Sequence, residues 1–116
     1  MPGIVFFESA DYESIASFYE DAVGADRWLE QSGCRILTYD GFRFGFCEGE
    51  ETETAGVLTF VTKYRDGVDA YYEQLRRRAD APPSVNRAYD IYQFFATDPE
   101  GRTMEFQTFL HETPSP

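Results

Sequence analysis

Few side chains in this chain are placed to do chemistry. Glu105 stands in the run Thr103-Met104-Glu105-Phe106-Gln107, where apolar and polar residues alternate with the period of a half-buried strand. A carboxylate on the polar side of such a strand can bind a cationic or hydroxylated ligand, or act as a general base. It can equally be an acid paired with Arg43 or Arg102. Glu8 ends an apolar run and is either a second such carboxylate or the solvated end of a strand. Arg43 can bind an anion or balance Glu105. Trp28, Tyr39, Tyr89 and Tyr92 can stack on a planar ligand or fill a core. His111, the one histidine, lies beside a Pro-ended tail and reads as exposed. Cys34 and Cys47 are too few for a disulfide framework and lack zinc spacing, so they read as buried free thiols. The sequence carries no Ser–His–Asp set, no phosphate-cradling glycine loop and no Cys–His pair. Arg76-Arg77-Arg78 falls at a helix end, where it complements the helix dipole and needs no nucleic acid to explain it.

The background to these residues is strongly acidic. Ten basic and 21 acidic residues leave a formal charge of −11, a surface that repels nucleic acid and anionic lipid. Lys63 is the only lysine; the other basic residues are arginines. Abundant carboxylates with almost no lysine suit a salt-rich cytoplasm, where high ionic strength screens their mutual repulsion. The alternative is a surface that attracts a cationic ligand. At 116 residues, 42% of them hydrophobic, there is material for a single domain over 1–116 with one modest core. No apolar run approaches the roughly 20 residues of a membrane span. The start Met1-Pro2-Gly3-Ile4 lacks signal-peptide character, which points to a cytoplasmic protein.

The elements that must position these residues are visible as an internal repeat. Gly3-Ile4-Val5-Phe6-Phe7 aligns with Gly56-Val57-Leu58-Thr59-Phe60, an offset of 53 residues, and Phe18-Tyr19-Glu20 aligns with Tyr71-Tyr72-Glu73 at that same offset. Further on, Asp40-Gly41-Phe42-Arg43 aligns with Glu100-Gly101-Arg102-Thr103 at 60, which places seven extra residues in the second copy around Pro82-Pro83. In the first copy, 3–7 reads as a buried strand. Asp11 is an N-cap, Ile15, Phe18, Tyr19, Ala22 and Val23 form a helix face, and Gly24 stops the helix. Strands at 26–31 and 34–39 follow, then an Asp40-Gly41 hairpin turn and a strand through Phe42, Phe44 and Phe46. The second copy repeats the order. Strand 56–61 leads to a helix through Val68, Tyr71, Tyr72 and Leu75, strands 84–88 and 90–97, a turn at 98–101 and a last strand at 102–110. The expected organisation is α+β: a βαβββ module over 1–48, a solvated acidic linker over 49–55 containing Glu50, Glu51 and Glu53, a second module over 56–110, and a tail over 111–116.

Alternation then sorts the strand residues by face. Helices covering one side would bury Phe42, Phe44, Phe46, Met104 and Phe106. Phe6, Glu8, Arg43, Thr59, Glu105 and Gln107 fall on the other side, as do Ile4, Gly45 and Val57. If the two sheets wrap a common cleft, this mixed face lines it, and those first six residues are the candidate ligand contacts.

The paired modules, Asp11 followed by Phe18-Tyr19, the closing Gly24, and Asp98-Pro99-Glu100-Gly101 followed by Glu105-Phe106-Gln107 together resemble the vicinal oxygen chelate superfamily. Its members include glyoxalases, extradiol dioxygenases, and fosfomycin- and bleomycin-resistance proteins. The resemblance implies a cupped, mostly antiparallel sheet around a cavity, often completed in a homodimer. It also implies a divalent metal held by first- and last-strand residues. The corresponding positions here are Ile4, Gly45, Val57 and Glu105, and only the last can ligate. One carboxylate is not a metal site. Two readings follow. One is a metal-free protein that binds or sequesters a small organic molecule, as bleomycin-resistance proteins hold a cationic drug in acidic dimers. The other is a glyoxalase-like lyase or isomerase, or a dioxygenase, built around Glu105 with a metal site not recognised in the sequence. The first implies no cofactor.

If the acidity is an adaptation to salt, removing salt exposes carboxylate self-repulsion. The melting temperature should then fall as KCl is lowered from molar to low-millimolar concentration. A flat profile would favour attraction of a cationic ligand.

Overall fold

A computed structural model describes residues 3–115. Among them the chain runs β1 (Val5–Ser9), α1 (Tyr12–Phe18), β2 (Asp26–Gln31), β3 (Cys34–Tyr39), β4 (Phe42–Glu48), β5 (Val57–Val61), α2 (Arg65–Leu75), β6 (Ser84–Asn86), β7 (Ile91–Thr97) and β8 (Thr103–Phe109). The βαβββ order thus occurs twice, in two compact units that meet between Thr54 and Ala55. Each unit has its own four-stranded sheet, ordered β1-β4-β3-β2 in the first and β5-β8-β7-β6 in the second. In both, the first strand lies parallel to the last and the remaining pairs are antiparallel. The repeat survives as register. Phe7 pairs with Phe46 and Phe60 with Phe106, while Phe6 faces Gly45 and Thr59 faces Glu105.

In the first unit the Asp11 side chain accepts the Ser14 N–H at 3.2 Å and caps α1. After Phe18 the backbone widens into a π turn over Tyr19–Val23, and Gly24, with φ 86°, ends it. The widening rotates the apolar stripe, so Ala16 rather than Ala22 is buried beside Ile15, Tyr19 and Val23. Tyr19 stacks on Phe46 and meets Phe44 edge-on, with centroids 5.4 and 5.5 Å apart. Each such buried aromatic contributes about 1.5–3 kcal/mol. Arg35 shares the helix side. It is buried, and its guanidinium is held by Ser17, Glu20 and Glu30.

Two expectations for this unit are corrected, and a third gains a detail. The first strand begins at Val5, and Val5 and Phe6 are about half exposed, because β1 is an edge strand with β4 as its sole neighbour. The acidic stretch after β4 has Glu50, Glu51 and Glu53 exposed, but it is tied to β1. Glu53 donates its N–H to the Glu8 carbonyl and accepts the Glu8 N–H on Oε1, the Thr52 hydroxyl accepts the Ala10 N–H, and Gly49 donates to Ser9. These bonds cover the open edge of β1, which would otherwise invite another strand. Finally, Cys34 and Cys47 are joined by a disulfide. The Asp40-Gly41 turn, with φ 46° and 87°, sets a two-residue hairpin. Both cysteines lie six residues from it, so the register places them opposite each other.

In the second unit Val68 and Leu75 of α2 pack over Leu58, Phe60, Phe94, Met104 and Phe106, all buried. The Tyr92 hydroxyl donates to Asp69 at 2.6 Å and fastens the helix to β7. After α2 comes a 3₁₀ turn at Arg76–Arg78, and Ala79 then bridges to Ala96. The residues that break the repeat therefore run alongside β7. The β7–β8 turn is built on a buried ion pair. Asp98 Oδ1 accepts the N–H groups of Glu100 and Arg102, and Oδ2 accepts Arg102 Nη1 at 3.2 Å. Arg102 is 1% exposed and also bonds Glu100.

Removing one partner of such a pair leaves a buried charge uncompensated. Asp98→Ala should cost about 3–5 kcal/mol of stability, seen as a lower urea midpoint with an unchanged m-value. Glu73→Ala, which removes the exposed partner of Arg76, should change stability by under about 1 kcal/mol.

Candidate functional site

Strand β8 lies between β5 and β7, so its side chains face α2 or the opposite, open side. Met104 and Phe106 take the helix side, which leaves Thr103, Glu105 and Gln107 on the open face, all partly exposed. Arg102 has the parity of Met104 and lies on the helix side, so it cannot neutralise Glu105. Glu105 is instead held by neutral donors. Thr59 Oγ1 on β5 donates to its Oε1 at 2.8 Å, and the Gln93 side-chain amide on β7 donates to its Oε2. Gln93 accepts in turn from the Asn86 side chain on β6 at 2.8 Å. One polar chain, Thr59–Glu105–Gln93–Asn86, thus crosses all four strands of the second sheet.

No basic side chain among the described residues pairs with Glu105. Each of its oxygens accepts one hydrogen bond and keeps capacity for a second. Gln93, 7% exposed, and Asn86 also line a recess of about 320 Å³, walled by Asp80, Pro82, Ser84 and Phe95. The inserted residues after α2 form its outer wall. Gln93 and Asn86 are not among the candidates the sequence analysis selected. Their signal was the β7–β8 hairpin, whose register sets Gln93 opposite Gln107 and diagonal to Glu105.

Of the six candidates, Glu105, Thr59 and Gln107 share this face. Phe6, Arg43 and Glu8 belong to the first sheet. Glu8 is exposed at the end of β1, its side chain lying against Gly49. Arg43 stacks its guanidinium on Trp28, 4.6 Å from the ring centroid. The Phe6 ring covers Gly45, so that a Cβ there would lie 2.8 Å from a ring carbon. The other aromatics divide. Tyr92 is bonded to Asp69, Tyr89 is exposed, and His111 is exposed with Nδ1 2.9 Å from the Glu112 carbonyl oxygen.

Neither a protein-family model nor a curated protein sequence matches the chain. Solved structures do. A glyoxalase/bleomycin resistance protein/dioxygenase family enzyme from Burkholderia phytofirmans PsJN superposes with a TM-score of 0.80 at 18% identity, over 92% of this chain and 97% of its own. A glyoxalase/bleomycin resistance protein/dioxygenase from Nocardioides gives 0.75 at 16%, over 100% and 88%. The lactoylglutathione lyase of Agrobacterium tumefaciens gives 0.74 at 13%, over 93% and 92%.

The fold is that of these glyoxalase/bleomycin resistance protein/dioxygenase structures. The metal-binding pattern that the sequence resemblance implies does not fit the residues present. Among the positions that the resemblance marks as ligands, Ile4 and Val57 offer hydrocarbon. Gly45 offers no side chain, and its space is taken by the Phe6 ring. Glu105 is already engaged by Thr59 and Gln93. Among the described residues no three His, Cys, Asp or Glu side chains gather as a ligand set. A divalent cation losing its water at Glu105 would find one carboxylate and, on the neighbouring strand, the apolar Val57, which cannot replace its hydration.

Proposed function

We propose that this chain is a metal-free small-molecule binding protein of the glyoxalase/bleomycin-resistance type. It holds or sequesters an organic ligand on the open face of the second sheet. The observation that carries this reading is Glu105: a partly buried carboxylate, fixed by two neutral donors, with no cation among the described residues to neutralise it. Such a group is oriented in advance for a ligand that presents an ammonium, amine or hydroxyl. The adjoining recess lies at the small end of the usual range for ligand pockets, and Phe95 supplies an apolar wall beside the amides of Gln93 and Asn86. The similarity to glyoxalase/bleomycin resistance protein/dioxygenase structures supports a small-ligand role. No helix of the described residues is long and apolar enough to cross a membrane. A cytoplasmic homodimer completes the proposal, with the apolar strand β5, where Val57 and Val61 are 53% and 43% exposed, offering surface for a second copy.

Thermal-shift screening should start with amine- and hydroxyl-bearing aromatic compounds, bleomycin among them, and calorimetry should follow on the hits. Glu105→Gln should weaken binding by about 1–3 kcal/mol, the scale of a lost charge-assisted hydrogen bond, while circular dichroism stays unchanged. Wild-type protein titrated with Zn, Mn and Ni should give no tight isotherm. Stoichiometric tight binding of any of them would overturn the metal-free reading in favour of a lyase or dioxygenase.

The assembly has its own measurement. Light scattering at micromolar protein in high salt should give twice the 13.3 kDa chain mass. A mass of one chain would sink the dimer.

A further inference from the structure

The open face of the first sheet carries a different set of side chains from that of the second. Strand β2 departs from regular pairing between Arg27 and Leu29, so that Trp28 is an extra residue against β3. A bulge of this kind re-aims a side chain. Here Leu29, opposite Ile36, shares the open face, and the neighbouring Trp28 reaches that face as well, because its ring lies against Arg43 of β4. Two consecutive large side chains thus lie on one side, which regular alternation forbids. Both stay exposed, Trp28 at 46% and Leu29 at 41%. Across the sheet Phe6, 48% exposed, spreads its ring over Gly45, where no side chain lifts it. The result is a flat apolar shelf with one cation in it.

That cation is unpartnered. Arg43 makes no ion pair or hydrogen bond among the described residues, and its Nε is buried without an acceptor. Leaving a desolvated donor unsatisfied is unfavourable. Stacking on Trp28 holds the planar guanidinium in place, so its fork is presented rather than free to swing. The fork matches the two oxygens of a carboxylate. The opposite residue, Thr38, adds a hydroxyl on the same face.

We propose that this face binds a small organic carboxylate with a flat apolar body. The carboxylate would sit on the Arg43 fork and the body on Trp28, Leu29 and Phe6. The proposal rests on Arg43 and Trp28 of the first sheet and not on the reading of Glu105. Its ligand has the opposite charge from the one Glu105 would take, so the failure of one reading is distinguishable from the failure of the other.

Trp28 is the single tryptophan of the chain, so intrinsic fluorescence reports on this site. Phenylacetate, phenylacetamide and phenethylamine share a body and differ in charge. Titrated into the full chain in molar KCl over the millimolar range, phenylacetate should shift Trp28 emission saturably. Phenylacetamide should bind at least about tenfold more weakly, and phenethylamine weaker still. Arg43→Gln should remove the preference for carboxylate over amide with circular dichroism unchanged. Leu29→Ser should weaken acid and amide together while keeping the preference. Equal binding of acid and amide, a preference for the amine, or an Arg43→Gln protein that still prefers the acid would each overturn the proposal. So would Trp28 emission that follows protein concentration and ignores phenylacetate, the behaviour of an interface between two copies.

Discussion

The structure depends on two strands, β4 and β8, each paired on both sides and each obliged by the two-residue period to present one row of side chains to a helix and the other outward. On the helix side the row is aromatic and heavy. Phe44 and Phe46 in one unit, and Met104 and Phe106 in the other, are fully buried under α1 and α2. Hydrophobic burial of that row sets the register, because a slip by one residue would turn Arg43, Gly45 and Glu105 inward and carry the aromatic row into water. The outward row is thereby freed from any role in folding. It can hold Gly45 in one unit and Glu105 at the matching place in the other, and the parallel partner changes with it, from Phe6 to Thr59. The modules share a core pattern and diverge on the face that can meet a ligand.

Much of this was legible beforehand. Strands at 26–31 and 34–39 and the helix cap at Asp11 stand where periodicity and turn chemistry put them. What was missed concerns pairing between elements rather than the elements themselves. The disulfide follows from one step of hairpin register beyond a turn already recognised, but cysteine counting alone pointed to thiols. Gln93 is one polar residue in an apolar strand; its place beside Glu105 appears once β7 is set against β8. Trp28 is different in kind. A bulge depends on how two strands pair, and alternation along either one carries no trace of it. The acidic run at 50–53 looked like a solvated linker for a similar reason, since its bonds to Glu8 and Ala10 join residues more than 40 positions apart.

The family resemblance and the side chains have to be weighed separately. A TM-score of 0.80 at 18% identity describes the path of the backbone. A fold of this kind is a scaffold, and chemistry resides in the residues mounted on it. Here the mounting has changed in a consistent direction. Positions suited to nitrogen and oxygen ligands carry Ile4, Gly45 and Val57, and the remaining acid is tied into a line of amides and a hydroxyl. A carboxylate held by two neutral donors has a fixed orientation and no counter-ion of its own, which is what the proposed organic ligand requires.

The charge balance gives these open-face residues their weight. In a chain with 21 acids and ten bases, any arginine within reach of a carboxylate finds one readily. Arg27, Arg35, Arg76 and Arg102 all do so. Arg43 stacks on an indole instead, and its Nε is left without an acceptor. Glu105 in its own sheet is the complementary exception, an acid whose partners are both uncharged. A fold selected for stability alone would gain by pairing each of them or replacing it with a neutral residue, since an unpaired charge that is partly desolvated is a net cost. A molecule of opposite charge settling on the face would offset that cost, and the two unneutralised groups are for this reason the centres of the two binding proposals.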